Sequence, residues 1–491
     1  MIILPNQVTQ AIDVLEKAGY DAYVVGACVR ELLLGEDPQD FDIVTNAGVN
    51  DILYAFRDYR ISDEGLQRGE VMVTVVGMII AISPYRREIV GSRVIYADNL
   101  ETDLSRRGFT MNAIAYSPRM GIIDPYGGRS CLTGEEKQIV AIGETVANPS
   151  KEKGAPETYY DMSRSFTTEP TRILLALRYC AERDFVIEEG TRAAMRANVD
   201  SFEYADTELL RGELTRIVMG KFAAKVLEQY SDILRFILPE IVPCVDFEQH
   251  SSHHDFTVWK HVCRSVGFAV PDIPIRFAML FHDLGKPDCF YMDTRGKGHF
   301  KGHGERSRIL AEGIMRRLEF DRKLSEEVCW LVYHHDVEIP EDRKELKRLI
   351  REIGADDLRK LIQIELADNR AKTESCENDR VKSLRSSLSQ LNEIIDTGEC
   401  YEMSQLAVQK RELLERRIVS SEAEADALMT ALFDIVLDKP SFNNKLMLLD
   451  MAEKSRKKAE ELAAERAAKL KEQQDRRSEP VYSRKKRKPR I

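Results

Sequence analysis

Histidine is absent from most of this chain of 491 residues, because all nine copies lie between His250 and His335. Long apolar runs are also missing, and none approaches the ~20 residues that a membrane-spanning helix needs. No C-x-x-C pair occurs among the nine cysteines. That absence argues against a zinc ribbon and favours reduced thiols in a cytoplasm. The N-terminus lacks a basic region and a small-residue cleavage site, so we expect a first helix and not a signal peptide.

Length and charge indicate several domains with a basic end. A chain of 491 residues exceeds what one core usually holds, so we expect about two to four domains. Residues 453–491 hold 15 Lys or Arg against 7 Asp or Glu, whereas the whole chain carries a net charge of −10. A basic end on an acidic body can contact nucleic acid. Taken alone, the same pattern is typical of a solvated helix with a disordered tip.

Hydrophobic periodicity changes along the chain. Residues 21–25 and 41–45 are predicted strands, and residues 71–82 are a predicted hairpin that turns at Gly77. Residues 144–168 are polar and indicate a loop or insertion. Beyond Pro170 the apolar spacing is almost wholly helical, which predicts an α+β region followed by an α-helical one.

Two carboxylates flank one apolar residue in the second predicted strand. Alternation along a strand puts Asp40 and Asp42 on the same face, about 6–7 Å apart. Such a pair can share a divalent cation, and Mg²⁺ prefers oxygen ligands completed by substrate phosphates. An isolated D-x-D more often marks a solvated strand, so the upstream context decides between the two interpretations.

That context is a strand–turn–helix junction. Gly26 and Ala27 are small enough to let backbone N–H groups approach a phosphate at the helix start, and Arg30 can add positive charge. Together with the two aspartates, this junction predicts a nucleotide triphosphate and metal site for phosphoryl or nucleotidyl transfer.

Charged side chains in two later segments can extend this site. Arg106 and Arg107 follow a short acidic stretch, and Glu169 and Arg172 open the helical region. Arg178 lies six residues further on. Arginines near a helix start are usually a solvated flank, but beside a nucleotide they can hold a triphosphate or recognise a base edge.

The motif order G-A-C-V-R-E, D-F-D, R-R-G-F-T-M-N-A, D-P-Y-G-G and E-P-T-R-I-L resembles the class II tRNA nucleotidyltransferases, which comprise the CCA-adding enzymes and their bacterial poly(A) polymerase relatives. The resemblance covers residues 20–240. It implies a polymerase-beta-type head with helical neck, body and tail, and a metal-binding pair at Asp40 and Asp42. It also implies a set of nucleotide contacts, namely Gly26, Ala27, Arg30, Arg106, Arg107, Glu169, Arg172 and Arg178.

The chain departs from that family pattern at several positions. The departures are Ala27 for a second glycine, Glu31 for aspartate, Ala81 where an acidic residue is common, Gly108 for aspartate, Glu169 for aspartate and Leu175 for arginine. Glu169 lengthens the reach of the carboxylate by one methylene, about 1.5 Å, which bears on selection between C and A. Leu175 removes a cationic contact. A head with reduced activity is therefore an alternative.

The histidine-rich segment contains a second constellation. An adjacent His282-Asp283 pair closes an apolar helical run, His261 lies 21 residues before it, and Asp368 lies in a later helix. This arrangement resembles the HD phosphohydrolase superfamily and the HD domain appended to many bacterial CCA-adding enzymes. The resemblance implies that these four residues hold a divalent metal, with His303 and His334 or His335 nearby. We expect the other histidines, namely His250, His253, His254 and His299, to be supporting or surface residues.

Imidazole and carboxylate ligands suit Mn²⁺, Ni²⁺, Co²⁺ or Fe²⁺ as well as Zn²⁺. A metal held there would polarise a phosphate ester and acidify water. The alternative is an HD fold retained for packing without turnover.

The predicted fold is an α+β polymerase-beta-type nucleotidyltransferase head followed by all-α neck, body, HD and tail regions. The predicted divisions are 1–143 (head), 144–168 (insertion or loop), 169–249 (helical neck that binds RNA and nucleotide), 250–372 (HD), 373–452 (helical tail) and 453–491 (basic helix and disordered end).

The leading hypothesis is Mg²⁺-dependent addition of CCA to tRNA 3′ ends from CTP and ATP, in the cytoplasm. Within the same family, a poly(A) polymerase or an enzyme that adds part of CCA is the alternative. An HD-type phosphohydrolase with a degenerate nucleotide-binding head is a second alternative. A non-catalytic RNA-binding protein is a third, and the intact D-F-D and H-D motifs argue against it.

Overall fold

The computed structural model of this chain describes residues 2–90, 93–147, 158–250 and 255–478. Helices and strands are mixed in the first part of the chain, as predicted. The elements of this part are α1 (Asn6–Lys17), β1 (Ala22–Val25), α2 (Ala27–Leu34), β2 (Phe41–Thr45), α3 (Val49–Ala55), β3 (Arg60–Ser62), β4 (Val71–Val75), β5 (Met78–Pro84), β6 (Arg86–Val90), β7 (Arg93–Tyr96), α4 (Leu100–Ser105), β8 (Ala115–Ser117), β9 (Gly121–Ile123), α5 (Gly128–Thr133) and β10 (Gln138–Ile139).

A seven-stranded sheet organises this part, with strand order β3-β4-β5-β2-β1-β8-β9. Strands β2 and β5 are parallel, and the other neighbouring pairs are antiparallel. Helix α1 packs on one face through apolar side chains spaced at helical intervals, which are Val8, Ala11, Ile12 and Leu15. The predicted hairpin is confirmed: β4 and β5 pair, and Gly77 turns between them at φ 83°.

The opposite face of the sheet is apolar at one end and open at the other. Val25 and Val44 pack there against Leu104 of α4 in one buried cluster. Asp42 lies on the same face as Val44 by strand alternation, but it is exposed between the buried Phe41 and Ile43. Packing at this end of the face therefore holds β1 and β2 in place, and β2 carries Asp42 at its open end.

Helices predominate in the following region, as predicted. Its elements are β11 (Glu144–Ala147), β12 (Thr158–Asp161), α6 (Ser163–Thr168), α7 (Arg172–Arg183), β13 (Val186–Ile187), α8 (Glu189–Ala197), α9 (Thr207–Met219), α10 (Ala223–Gln229), α11 (Ser231–Leu234), α12 (Val258–Phe268), α13 (Ile273–Phe281), α14 (Lys286–Cys289), β14 (Tyr291–Met292), β15 (Gly298–His299), α15 (His303–Arg317) and α16 (Arg322–Tyr333).

Residues 144–168 differ from the predicted loop. Strands β11 and β12 pair as an antiparallel hairpin, and α6 follows directly. In this two-stranded ribbon Glu144, Thr145 and Tyr160 are exposed, so the sequence lacks the alternation that identifies a half-buried strand. The hairpin brings Glu144 to Arg164, which lie 2.6 Å apart as an ion pair.

The chain divides into two compact units: residues 1–336 with 367–376, and residues 337–366 with 377–491. The second unit is helical, and its core includes Leu413, Phe433 and Leu448. The remaining helices are α17 (Arg343–Ile353), α18 (Ala355–Ala371), α19 (Asp379–Asp396), α20 (Lys410–Glu415), α21 (Glu422–Asp438) and α22 (Lys445–Ser478). The finer division into six segments stays a prediction, and its last residues, 479–491, lie outside the described ranges.

In the described part of the chain, every helix is too short or too polar to cross a membrane.

Candidate functional site

The first candidate site lies where β1, β2 and β5 run side by side. Asp42 on β2 is paired with Val25 at the end of β1 and with Ala81 on β5. Asp40 immediately precedes β2, and both aspartates are exposed. The structure therefore brings the predicted carboxylate pair next to the turn at Gly26, which follows Val25.

Gly26 is favoured at this turn by its backbone conformation. Its φ is +77°, which side-chain-bearing residues rarely adopt. A Cβ at this position would also lie 2.8 Å from Nη1 of Arg107. Arg107 thus lies over the turn from which α2 starts, close to Asp42. The packed surroundings raise the pKa of Asp42, and the charge of Arg107 counteracts this.

A buried carboxylate holds the two predicted arginines. Asp103 accepts from Nη2 of Arg107 at 2.8 Å, lies 3.3 Å from Nε of Arg106, and accepts from the backbone N–H of Arg86 at 3.0 Å. Burial alone would raise the pKa of Asp103, but these cationic and N–H donors outweigh it and lower that pKa. Burial lowers the pKa of Arg106 to about 10. Asp103 was not among the predicted site residues, because an acidic residue before R-R could equally be a solvated helix residue.

A polar cavity of about 400 Å³ is lined by Arg106 but not by Arg107. Arg106, Glu169 and Arg172 all line it, as do Arg164 and Glu144 of the hairpin segment. The structure therefore brings three of the predicted nucleotide contacts together around one space. It also places the unexpected hairpin at the edge of that space.

Arg172 is held firmly in this cavity wall. Its Nε lies 2.7 Å from Glu169, and its two Nη atoms donate to the backbone carbonyls of Ser165 at 3.2 Å and Arg106 at 2.6 Å. The guanidinium lies over Gly108, where an added Cβ would be 2.7 Å from Cδ and Nε of Arg172. Gly108, a departure from the family pattern, thus makes room for the arginine above it.

Two predicted nucleotide contacts lie elsewhere. Arg30 is buried and donates to Asn112 and, at 3.1 Å, to the hydroxyl of Tyr179 on α7. Arg178 is 11% exposed and lies 3.2 Å from Glu213. Neither lines the cavity. Both guanidinium groups therefore interact with protein in this structure, and their roles toward a nucleotide stay predictions. Nothing in the structure explains Leu175.

The second candidate site is built from the predicted histidine and aspartate set. Nε2 of His261 lies 2.9 Å from Asp368 and 3.2 Å from Nε2 of His282, which in turn lies 3.2 Å from Asp283. All four residues are buried. Burial lowers the pKa of His282, but the two carboxylates outweigh it and raise that pKa to about 9. The structure therefore brings the four predicted ligands to one point.

A further pair of histidines faces the other oxygen of Asp283. Nε2 of His303 lies 3.5 Å and Nε2 of His335 lies 3.9 Å from Oδ1, whereas His261 and His282 approach Oδ2. Two ligand sets thus share one carboxylate. His335, and not the adjacent His334, belongs to this group.

The ring orientations suit metal binding. Nδ1 of His282, His303 and His335 each lies 2.7–2.9 Å from a backbone carbonyl, of Met279, Phe300 and Val332 respectively. An N–H at Nδ1 that is bonded to the backbone leaves Nε2, which faces Asp283, as the ring atom that can bind a metal. This donor set fits divalent transition metals.

The remaining histidines lie apart from the two ligand sets. Nδ1 of His334 lies 2.9 Å from the carbonyl of Trp330, and its ring contacts that indole. His299 stacks on Tyr291 and lies 3.0 Å from Asp293. His250 contacts Phe290. His253 and His254 lie outside the described residues.

Two family models match the segments of the chain that contain most residues of the two sites. Residues 22–139 match the Poly A polymerase head domain, and residues 260–372 match the HD domain. Domains of both kinds generally use divalent metals. The predicted combination of the two domains is confirmed.

Curated relatives are named CCA-adding enzymes. The protein from Leuconostoc citreum (strain KM20) is 31% identical over 245 residues, which cover 48% of this chain and 56% of the relative. The protein from Geobacillus stearothermophilus is 32% identical over 225 residues, covering 44% and 50%. The chain thus spans about half the length of the curated relatives it matches.

Solved structures extend the likeness in fold. The Bacillus stearothermophilus CCA-adding enzyme in complex with CTP matches with a TM-score of 0.59 at 20% identity, covering 94% of this chain and 100% of that one. The Thermotoga maritima CCA-adding enzyme complexed with tRNA-CCA gives 0.55 at 19% identity, covering 91% and 95%. This chain therefore joins a Poly A polymerase head domain to an HD domain on the fold of the solved CCA-adding enzymes.

Proposed function

We propose that this protein is a template-independent nucleotidyltransferase that adds C, C and A to tRNA 3′ ends from CTP and ATP. The observation that carries the proposal is the contiguity of two elements. The exposed pair Asp40 and Asp42 borders the Gly26 turn beneath Arg107, and Asp103 binds both Arg107 and Arg106, which lines the cavity together with Glu169 and Arg172. Relatives and solved structures named CCA-adding enzymes, including complexes with CTP, ATP and tRNA, support the choice of reaction.

In the proposed reaction, the aspartates of the head would bind the metal and Arg107 would bind the triphosphate. Asp40 and Asp42 offer the oxygen ligands that suit Mg²⁺, which when bound would lower the pKa of an RNA 3′-hydroxyl and stabilise the departing pyrophosphate. Arg107 lies over the Gly26 turn, where its charge can neutralise a triphosphate.

The paired side chains of Glu169 and Arg172 in the cavity would select the incoming base. The Glu169 carboxylate can accept from an exocyclic amine, and C and A both carry one. Arg172 holds Glu169 at 2.7 Å, and Arg106 adds positive charge beside them. Because both Nη atoms of Arg172 donate to backbone carbonyls, Glu169 is the member of the pair that is more available to bind a base.

RNA must be held by surfaces away from the head. The exposed basic residues of α22 between Lys454 and Lys471 would contact the RNA backbone. All nine cysteines are free thiols in the structure, which supports a reducing compartment, so we place the protein in the cytoplasm.

The test is incubation with a tRNA lacking CCA, Mg²⁺, and labelled CTP or ATP, read on a sequencing gel. We expect growth by C, C and A, no growth with Asp42→Asn, and full growth with Asp293→Asn, a matched change at a distant aspartate. Growth by A alone would assign a poly(A) polymerase, and growth by part of CCA would assign a partial enzyme. Full growth with Asp42→Asn would refute the assignment of the site.

The HD site supports a second candidate function, metal-dependent hydrolysis of phosphate esters. The specific observation is that Asp283 is shared by two ligand sets, which would hold Mn²⁺, Ni²⁺ or Co²⁺ and polarise a phosphate oxygen. The test is release of phosphate from 2′,3′-cyclic nucleotides with each metal. Asp283→Asn should abolish release without affecting nucleotide addition, and release that is unchanged in that variant would exclude the HD site.

A further inference from the structure

The cavity that contains Glu169 and Arg172 has a second carboxylate–guanidinium pair on its wall. Glu144 and Arg164 both line it, and Nη1 of Arg164 lies 2.6 Å from Oε2 of Glu144. The Arg164 side chain is 65% exposed, whereas that of Arg172 is 10% exposed. An ion pair this exposed contributes little to stability. Arg164 can therefore exchange Glu144 for a ligand in the cavity at small cost.

The backbone beside this second pair is fixed. Gly143 immediately precedes β11, and a Cβ there would overlap the carbonyl oxygen of Asp161 at the end of β12. The two backbone segments therefore meet at a point where no side chain fits between them. The N–H of Gly143 also donates to the hydroxyl of Tyr160 at 2.8 Å. Glu144 and Arg164 thus lie at a hairpin base whose position is set by close packing.

Ser165 connects Arg164 to Arg172. It follows Arg164 directly in α6, and it is buried. Its hydroxyl donates to the carbonyl of Ile142 at 2.6 Å, and its own carbonyl accepts from Nη1 of Arg172 at 3.2 Å. One buried residue therefore holds the backbone that carries Arg164 and the guanidinium of Arg172 at the same wall. The two arginines are placed to act on one ligand.

A base whose amine is held by Glu169 has further hydrogen-bonding atoms to satisfy. Cytosine and adenine both present an amine beside a ring-nitrogen acceptor, but cytosine adds a carbonyl oxygen next to that nitrogen. Arg172 has five N–H groups, and three of them are taken by Glu169 and by the backbone carbonyls of Ser165 and Arg106. The other two are on nitrogens that the protein already holds. A further donor on the wall is therefore matched best by cytosine, which has the additional acceptor.

We propose that Arg164 is a specificity-determining residue of this cavity, which donates to the carbonyl oxygen of cytosine and so favours CTP over ATP. The inference rests on the proposed nucleotidyltransferase function. Adenine presents a C–H group at the corresponding position, so it gains no hydrogen bond from the guanidinium. The hairpin that precedes α6 thereby takes part in nucleotide selection, in addition to Glu169 and Arg172.

The experiment is equilibrium binding of CTP and of ATP to the full-length protein, followed by calorimetry with Mg²⁺ and without RNA. The wild type is compared with Arg164→Met and with Arg119→Met as the matched control. Arg119 is 62% exposed and lies 3.1 Å from Asp21, and it is not among the described residues that line the cavity. We expect Arg164→Met to weaken CTP binding about tenfold, the effect of losing one hydrogen bond from a charged donor, and to leave ATP binding unchanged. Arg119→Met should change neither affinity.

Two results would overturn the proposal. Equal weakening of CTP and ATP binding by Arg164→Met would mean that the arginine acts only through its charge on the triphosphate. Unchanged affinity for both nucleotides would mean that Arg164 only pairs with Glu144. Because Arg164 is exposed, Arg164→Met should fold as the wild type does, and urea unfolding of the variant checks this.

Because binding is measured without RNA, this inference and the proposed function can fail separately. A wild type that prefers CTP through Arg164 but does not extend a tRNA lacking CCA would refute the proposed function alone. A wild type that binds neither nucleotide would refute both.

Discussion

Replacement of Gly108 by alanine tests how the cavity wall is built. The backbone there has φ +79°, and a Cβ would lie 2.7 Å from two side-chain atoms of Arg172. The left-handed backbone costs about 1 kcal/mol for a residue with a side chain. Displacing Arg172 also disturbs its bonds to the carbonyls of Arg106 and Ser165, each worth about 1.5–3 kcal/mol for a charged donor. We therefore expect a total loss of about 2–4 kcal/mol, since the side chain can partly relax.

Gly121 provides the matched control. Its φ is +73°, and an added Cβ would meet nothing within 4 Å. Gly121→Ala should therefore cost only the backbone part, about 1 kcal/mol. Both variants are compared with the wild type by urea unfolding and by equilibrium binding of CTP and ATP. Only Gly108→Ala should weaken nucleotide binding, because only it moves the partner of Glu169.

A double-mutant cycle completes the test. In an Arg172→Ala background the guanidinium is gone, so Gly108→Ala should cost no more than Gly121→Ala does. Gly108→Asp, which restores the residue common in the family, should be more damaging than alanine in the wild type. Equal losses of stability and nucleotide affinity for the two glycine variants would refute the contact between Gly108 and Arg172 as the reason for this glycine.

Two other predictions concern the HD site and the second unit. His335→Gln should lower bound metal measured by mass spectrometry of the purified protein, whereas His334→Gln, one residue away, should not; equal loss would refute the second ligand set. Lys347 is fully buried 2.6 Å from Glu399, so Glu399→Gln should destabilise the second unit by about 3 kcal/mol at pH 7. Burial would raise the pKa of Glu399, but Arg343 and Lys347 lower it. The contribution of ionised Glu399 to the free energy of unfolding is therefore complete above its ordinary pKa and is lost as the pH falls through the pKa of the folded state. Unfolding at pH 7 and pH 3 should therefore show the variant and wild type converging in acid.

Local patterns predicted the elements that hold the head site. Alternation located β1 and β2, and the spacing of D-F-D put both carboxylates at the start of β2. Gly77 marked the turn between β4 and β5. These features depend on neighbours in sequence, which is why the chain alone suffices for them.

Side-chain direction at helix ends was not predictable in the same way. His334 and His335 follow α16, and adjacent helical positions point about 100° apart. Which of the two histidines faces Asp283 therefore depends on how α16 packs. Arg30 gave a similar difficulty: its charge beside a phosphate-type turn predicts a nucleotide contact, yet its guanidinium contacts Asn112 and Tyr179. Tyr179 lies 149 residues away in sequence, and no local pattern reports such a partner.

The departure at Gly108 is better explained as an adjustment than as decay. A decaying site would lose side chains at positions whose surroundings stayed unchanged. Here, instead, the glycine at 108 lies beneath a buried arginine that fills the space, and that arginine still holds Glu169. Because Gly108 leaves the room that Arg172 occupies beside Glu169, this departure is compatible with the proposed nucleotidyl transfer.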